Sequence, residues 1–263
     1  MSDQFAGRMV ERLRNGETLI GTFANLGNAL SAEICGLAGF DWVLVDLEHG
    51  AGTESELPAQ LQALGTTPTS GLVRVESHER SRIVRALDAG AAGVMAPRVD
   101  SADQARAIVR ATRYPPAGSR GVALMNRGAA FGARAGMFSD TDDLVLVIVQ
   151  IESVDALEAV DEIAAVEGVD VLFVGPSDLS QVLGCFGRFD DPAYVDSVQT
   201  VAKACRAAGK TAGVLAGSAG DAERYLRLGY RFVGVSGDGG FLAKAAAAAA
   251  ADLRARSAAG SMS

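Results

Sequence analysis

Short apolar runs recur along this 263-residue chain, each closed by a turn and followed by a stretch of helical pattern. The runs fall at residues 19–23, 42–46, 71–75, 93–97, 144–151, 171–174, 211–215 and 232–236. Several, such as VLVIVQI and VLFV, are apolar at consecutive positions, the pattern of a strand buried on both faces in a parallel sheet. Helical patterns occupy 28–37, 54–63, 81–87, 102–112, 154–164, 192–208, 221–228 and 241–256, with a further one at 5–13 before the first strand. Ser101 opens one of them, and Gly209 and Gly229 follow the ends of two others. Eight strands alternating with eight helices predict a (β/α)8 TIM barrel with an added N-terminal helix, an open doubly wound sheet being the second choice. The length suits one such barrel of about 250 residues. With no break in composition, residues 1–263 are expected to form one domain.

Composition narrows the function. Aromatic residues make up only 6%, whereas Gly reaches 31 residues, a balance that suits tight βα turns and close strand–helix packing. The formal charge of −8 has the wrong sign for nucleic acid or an anionic membrane surface, so neither is expected as a partner. Three cysteines, Cys35, Cys185 and Cys205, form no CxxC pair and read as buried thiols. The first residues contain no apolar core of a signal peptide, and no apolar run is long enough to span a bilayer. A cytoplasmic location is expected.

Barrel enzymes place their chemistry at the C-terminal ends of the strands. There this chain puts Asp46, Glu48 and His49 after the second strand, Arg74 within the third, Arg98 after the fourth, Gln150 and Glu152 at the fifth, and Ser177 and Asp178 after the sixth. Glu152 and Asp178 suit a hard divalent ion, Mg²⁺ or Mn²⁺, and would leave coordination positions open. Their structural alternative is a helix cap for Asp178 and a surface position for Glu152. His49 is either a general base or a packed histidine. Arg74, between Val73 and Val75, either pairs internally or meets an anion. The glycine cluster at 234–240 is patterned like a phosphate-cradling turn. The loop 114–143 has no clear element of its own, and part of it is expected over the catalytic face.

Five segments carry a resemblance: residues 38–49 (AGFDWVLVDLEH), 73–75 (VRV), 113–122 (RYPPAGSRGV), 149–152 (VQIE) and 174–180 (VGPSDLS). Together and in this order they resemble the HpcH/HpaI aldolase family of class II, metal-dependent pyruvate aldolases. The resemblance implies Glu152 and Asp178 as metal ligands, His49 as base and Arg74 as stabiliser of the transition state. It implies Gln150, Ser177 and Asp178 as substrate contacts, and Asp88 as an aid to the basicity of the histidine. The predicted topology sets Asp88 at the far end of the barrel, within reach of His49 only from a neighbouring subunit, and makes Asp46 the competing local partner.

The chemistry so implied is reversible cleavage of a 4-hydroxy-2-oxo or 2-keto-3-deoxy acid to pyruvate and an aldehyde through an enolate, in sugar-acid or aromatic catabolism. The cofactor is Mg²⁺ or Mn²⁺, with Co²⁺ as a further candidate. None of the site segments contains Lys, which agrees with a reaction that needs no Schiff base. Competing readings are an oxaloacetate decarboxylase or CoA-thioester lyase on the same site, and a catalytically silent barrel that serves as a binding protein. The family also implies a C-terminal helix exchanged between partners, in a homo-hexamer built as a trimer of dimers.

Overall fold

The computed structural model describes residues 9–133 and 145–260. Its strands are β1 (Leu19–Ala24), β2 (Trp42–Asp46), β3 (Ser70–Arg74), β4 (Gly93–Ala96), β5 (Leu146–Ile151), β6 (Val171–Val174), β7 (Thr211–Ala216) and β8 (Phe232–Gly237). Each pairs in parallel with its sequence neighbours, and β8 pairs with β1, so the sheet closes into an eight-stranded barrel. The helices between them are α2 (Ala29–Leu37), α3 (Leu57–Leu64), α4 (Arg80–Asp88), α5 (Ala102–Thr112), α6 (Val154–Glu158), α7 (Val160–Ala164), α8 (Pro176–Val182), α9 (Pro192–Ala208) and α10 (Ala219–Leu228). Helix α11 (Asp238–Gly260) ends the described chain, and residues 9–14 form the described part of α1. The (β/α)8 architecture expected from the alternation is therefore the one observed.

Alternation along the strands separates two apolar layers. Val43, Val45, Val73, Val147, Val149, Leu172 and Val174 face outward into the layer shared with the helices. Leu44, Leu72, Met95, Leu146, Ile148, Val171 and Phe173 face inward, and Met9, Val10 and Leu13 of α1 join that inner cluster. The barrel is thus a packed core, as its strand pattern requires. Few aromatic rings suffice because glycines make space for them. The Trp42 ring stacks on Phe232 with centroids 4.3 Å apart and planes 4° from parallel. A Cβ on Gly21 would lie 2.0 Å from the Trp42 ring, and one on Gly234 2.9 Å from its edge.

Caps fall where the sequence signals them. Ser101 accepts from Gln104 N–H, and Gly209 and Gly229 close α9 and α10 in left-handed conformation. Other expectations change. The helix expected over 154–164 divides into α6 and α7 at Ala159, whose backbone is non-helical. Residues 176–182, which carry no predicted helix, form α8 with Pro176 in its first turn. Residues 5–8 of the N-terminal helix, Leu144 of the fifth strand and 134–143 of the long loop lie outside the described residues. The described part of that loop is tied to α3 and α4 on the outside of the barrel. Its Gly128 N–H donates to Asp88 O, and Arg127 donates to Leu61 O, at the C-terminal ends of α4 and α3. The three cysteines are free and buried. Among the described residues no helix is long and apolar enough to cross a membrane.

Gly21→Ala tests the packing scheme. The Trp42 ring is sandwiched and cannot retreat, so the added methyl is expected to cost about 2 kcal/mol of stability, read by urea unfolding.

Candidate active site

Inward-facing positions along β2 run Trp42, Leu44, Asp46, and along β5 Leu146, Ile148, Gln150. Apolar side chains fill the lower layers, and the last inward position of the strand is polar. Asp46 and Arg74 end β2 and β3 as register partners. Their side chains meet as a fork: Arg74 Nε donates to Asp46 Oδ1 at 2.8 Å and Nη2 to Oδ2 at 2.7 Å. Asp46 is 1% exposed and Arg74 8%. Burial pushes the Asp46 carboxyl up, but the Arg74 hydrogen bonds and charge outweigh it and hold its pKa below the ordinary value. The Arg74 guanidinium lies 5.4 Å above the centre of the Phe23 ring, which floors the site.

The third arm of Arg74 turns to the rest of the site. Nη1 lies 3.0 Å from Glu48 Oε2 and 3.5 Å from Gln150 Oε1. Gln150 Nε2 donates to Glu152 Oε2 at 2.9 Å. The other Glu152 oxygen accepts from Arg98 N–H at 2.7 Å. Arg98 adopts a left-handed backbone, φ +49°, an uncommon state for a non-glycine residue that sets this N–H on the carboxylate. Gly175 leaves room from the other side: a Cβ there would stand 2.4 Å from Glu152 Oε2.

The predicted site residues divide into four groups. Asp46, Arg74, Gln150 and Glu152 are joined directly, with Glu48 beside them. Ser177 and Asp178 occupy the first turn of α8, both exposed. His49 stands at the rim, its side chain 64% exposed and its Nε2 3.8 Å from Glu48 Oε2. Its backbone N–H and that of Glu48 donate to Asp46 Oδ1, so Asp46 supports the histidine loop through the main chain. Asp88 is not brought to His49 within this chain. It ends α4 on the opposite side of the barrel, 2.9 Å from buried Arg120, which lies over the Tyr114 ring.

Two contributors escape a side-chain reading. Glu48 carries no role in the sequence reading, although Asp46 and His49 of the same turn do, and Arg98 acts through its backbone. The glycine cluster at 234–240 contains a carboxylate of its own, Asp238, held mainly by residues outside it. Asp238 there accepts from the backbone N–H groups of Asn25, Leu26 and Gly239 and from the Ser31 hydroxyl.

A divalent cation fits this arrangement. The carboxylates of Asp46, Glu48, Glu152 and Asp178 gather at one barrel mouth around Arg74. Burial, with the charges of Asp178 and Glu48, pushes the Glu152 carboxyl up to about 7 against the Arg98 hydrogen bond. Burial is the larger cause, and the neighbouring carboxylates add to it. Glu152 is no surface residue at 8% exposure, and Asp178 makes no capping bond. Among the described residues no group of three or more His, Cys, Asp or Glu side chains is placed to hold a metal ion by itself.

Comparison with known proteins gives a consistent picture. Residues 19–245 match the family model described as HpcH/HpaI aldolase/citrate lyase. The chain is 39% identical over 244 residues to a 5-keto-4-deoxy-D-glucarate aldolase of Escherichia coli O6:H1, covering 93% of this chain and 95% of that one. It is 41% identical over 232 residues to a hydroxypyruvate/pyruvate aldolase of Agrobacterium fabrum, covering 88% and 87%. The crystal structure of an HpcH/HpaI aldolase/citrate lyase family protein from Burkholderia cenocepacia superimposes with TM-score 0.91 at 38% identity, covering 94% of this chain and 99% of that one.

Asp46→Asn removes the charge partner of a buried guanidinium. It is expected to cost about 3 kcal/mol at neutral pH, measured by denaturant unfolding. Because the folded-state pKa of Asp46 is lowered, its contribution is complete above about pH 4. The gap between wild type and variant should close as pH falls through that lowered pKa.

Proposed function

The chain belongs to the HpcH/HpaI aldolase/citrate lyase family, and we propose that it is a class II pyruvate aldolase, cleaving a 4-hydroxy-2-oxo or 2-keto-3-deoxy acid reversibly to pyruvate and an aldehyde. The observation that carries this reading is Glu152, buried at the barrel mouth within reach of the Asp178 and Glu48 charges, with a locked Arg74 on its flank. Relatives named for 5-keto-4-deoxy-D-glucarate favour a sugar-derived keto acid over an aromatic catabolite. The same relatives favour carbon–carbon cleavage over decarboxylation of oxaloacetate, cleavage of a CoA thioester, or a silent binding role.

Glu152 and Asp178 would hold the Mg²⁺ or Mn²⁺, with Co²⁺ as a further candidate, and when bound the ion supplies Lewis-acid polarisation of the 2-oxo group. Gln150 and Ser177 orient the keto acid. His49 accepts the 4-hydroxyl proton as the C3–C4 bond breaks. The aldehyde departs, and the bonding pair remains on the pyruvate fragment as an enolate. Arg74 stabilises that developing charge, and its fork with Asp46 removes the cost of orienting it during the reaction. Protonation at C3 gives pyruvate. Asp88 enters this scheme only from a neighbouring subunit, as an aid to the basicity of His49.

We also read the protein as a cytoplasmic homo-oligomer, a trimer of dimers with α11 exchanged between partners. Supporting this, the side chains of α11 from Gly240 to Ala259 are exposed along the whole helix. Leu30, Ile34 and Leu37 of α2 and Leu242 of α11 are exposed apolar residues that a partner would cover.

Three measurements test the proposal. Pyruvate release from a panel of 4-hydroxy-2-oxo acids should require a divalent ion and stop in chelator, and Glu152→Gln should abolish the metal response. Retained activity in chelator would overturn the metal assignment. Arg74→Ala should lower kcat by about 100-fold or more. Light scattering should give an oligomer that deletion of residues 245–263 dissociates, and a monomeric full chain would refute the exchange.

A further inference from the structure

We propose that Asn25 is a positioning residue for Arg74 and for the His49 loop, and that Asp238 at the root of α11 anchors it. This rests on the aldolase reading above, in which Arg74 and His49 act on the substrate.

Asn25 follows β1 and ties three separate elements together. Its side-chain Nδ2 donates to Asp46 Oδ2 at 2.7 Å, the same oxygen that Arg74 Nη2 holds. Its carbonyl accepts from Ala51 N–H at 2.7 Å, two residues beyond His49. Its own N–H donates to Asp238 Oδ1 at 2.7 Å. Glycines permit each approach. A Cβ on Gly237 would stand 2.4 Å from Asn25 Oδ1, and one on Gly50 would stand 2.1 Å from Asp46 O and 3.2 Å from Asn25 O. The neighbouring loops touch backbone to backbone, since a Cβ on Gly27 would lie 2.5 Å from Gly52 Cα.

The consequence is geometric. A forked carboxylate–guanidinium pair is rigid within itself, but the pair can still swing as one body on its two side-chain stems. The Glu48 and His49 N–H groups restrain one Asp46 oxygen, and Asn25 restrains the other. Asn25 therefore fixes where the pair points. Asp238 in turn fixes Asn25, its carboxylate also taking Leu26 N–H, Gly239 N–H and the Ser31 hydroxyl. The path from the root of the last helix to the catalytic arginine is Asp238, Asn25, Asp46, Arg74.

The test uses full-length, metal-saturated enzyme and two readouts, deuterium exchange into the methyl group of pyruvate and pyruvate release from a cleavable keto acid. Asn25→Ala is expected to lower kcat about tenfold with KM and metal affinity within twofold of wild type. Asn25→Asp keeps the shape, removes the donor and sets a second carboxylate against Asp46, so it should lose at least as much. If Asn25→Ala does not fold, Asn25→Asp carries the measurement. The distinguishing signature is non-additivity: in an Arg74→Lys background, Asn25→Ala should change kcat less than twofold. A kcat within twofold of wild type in both Asn25 variants would overturn the inference, as would a full multiplicative loss in the Arg74→Lys background. Wild-type enzyme that fails to exchange pyruvate protons with metal present would instead overturn the aldolase reading itself.

Discussion

The Asp46 carboxylate is almost wholly removed from water, and both of its oxygens are occupied. Oδ1 takes Arg74 Nε and the N–H groups of Glu48 and His49, and Oδ2 takes Arg74 Nη2 and the Asn25 amide. A buried charge is tolerated only when so satisfied. Each of those donors belongs to a different requirement of the mouth: the arginine of β3, the turn after β2, and the loop after β1. Moving any of them strips a donor from a buried anion, so the three move together or not at all. The conformation of the histidine loop is set in this way by main-chain bonds, which leaves the imidazole exposed at the rim.

Beneath that layer the barrel is apolar and small-residue rich for one reason. Trp42, Phe173 and Phe232 fill the lower interior, and glycines on adjacent strands stand where a Cβ would enter a ring, as Gly21 does against Trp42 and Gly213 against Phe173. One large ring beside one glycine replaces two medium side chains, which keeps the aromatic count low and the glycine count high. It also raises a solid floor under the polar layer, with Phe23 directly below the Arg74 guanidinium. Water is thereby kept from one side of the ion pair, and the interaction between the charges is strengthened.

The parts of this arrangement legible in the sequence are those written in side-chain pattern. Continuous apolar runs gave the strands, and a polar residue at the last inward position, as at Asp46 and Gln150, marked the mouth. Backbone roles left no such trace. Arg98 reads as a cation, yet its contribution is an N–H set by a left-handed φ, a choice of conformation that no side chain announces. Helix α8 is seven residues long, too short for helical periodicity to show, and the one hint of a helix there, Asp178 as a possible cap, falls inside the helix, which starts at Pro176. The turn at 234–240 looked ready for an external anion because its glycines expose N–H groups. Asp238, inside the same motif, puts a carboxylate of this chain there instead, bound by Gly239 N–H of the turn and by Asn25, Leu26 and Ser31 outside it. Asp88 lies with Arg120, a partner more than thirty positions away that local pattern cannot pair.

Electrostatics binds the two levels. The chain carries a formal charge of −8, and its candidate site adds Glu48, Glu152 and Asp178 to an Asp46 already neutralised by Arg74. An anionic keto acid would be repelled from such a mouth. On the proposed reading a divalent cation held by Glu152 and Asp178 would reverse the local sign, at a place where burial and the charges of Asp178 and Glu48 together raise the Glu152 carboxyl to about 7. Arg74 cannot do this alone, because its charge is committed to Asp46 and only Nη1 faces the site. On that reading the labour would be divided: the carboxylates would make the site receptive to metal, the bound metal would make it receptive to substrate, and the arginine, held rigid by Asp46, would contribute only where charge moves during the reaction.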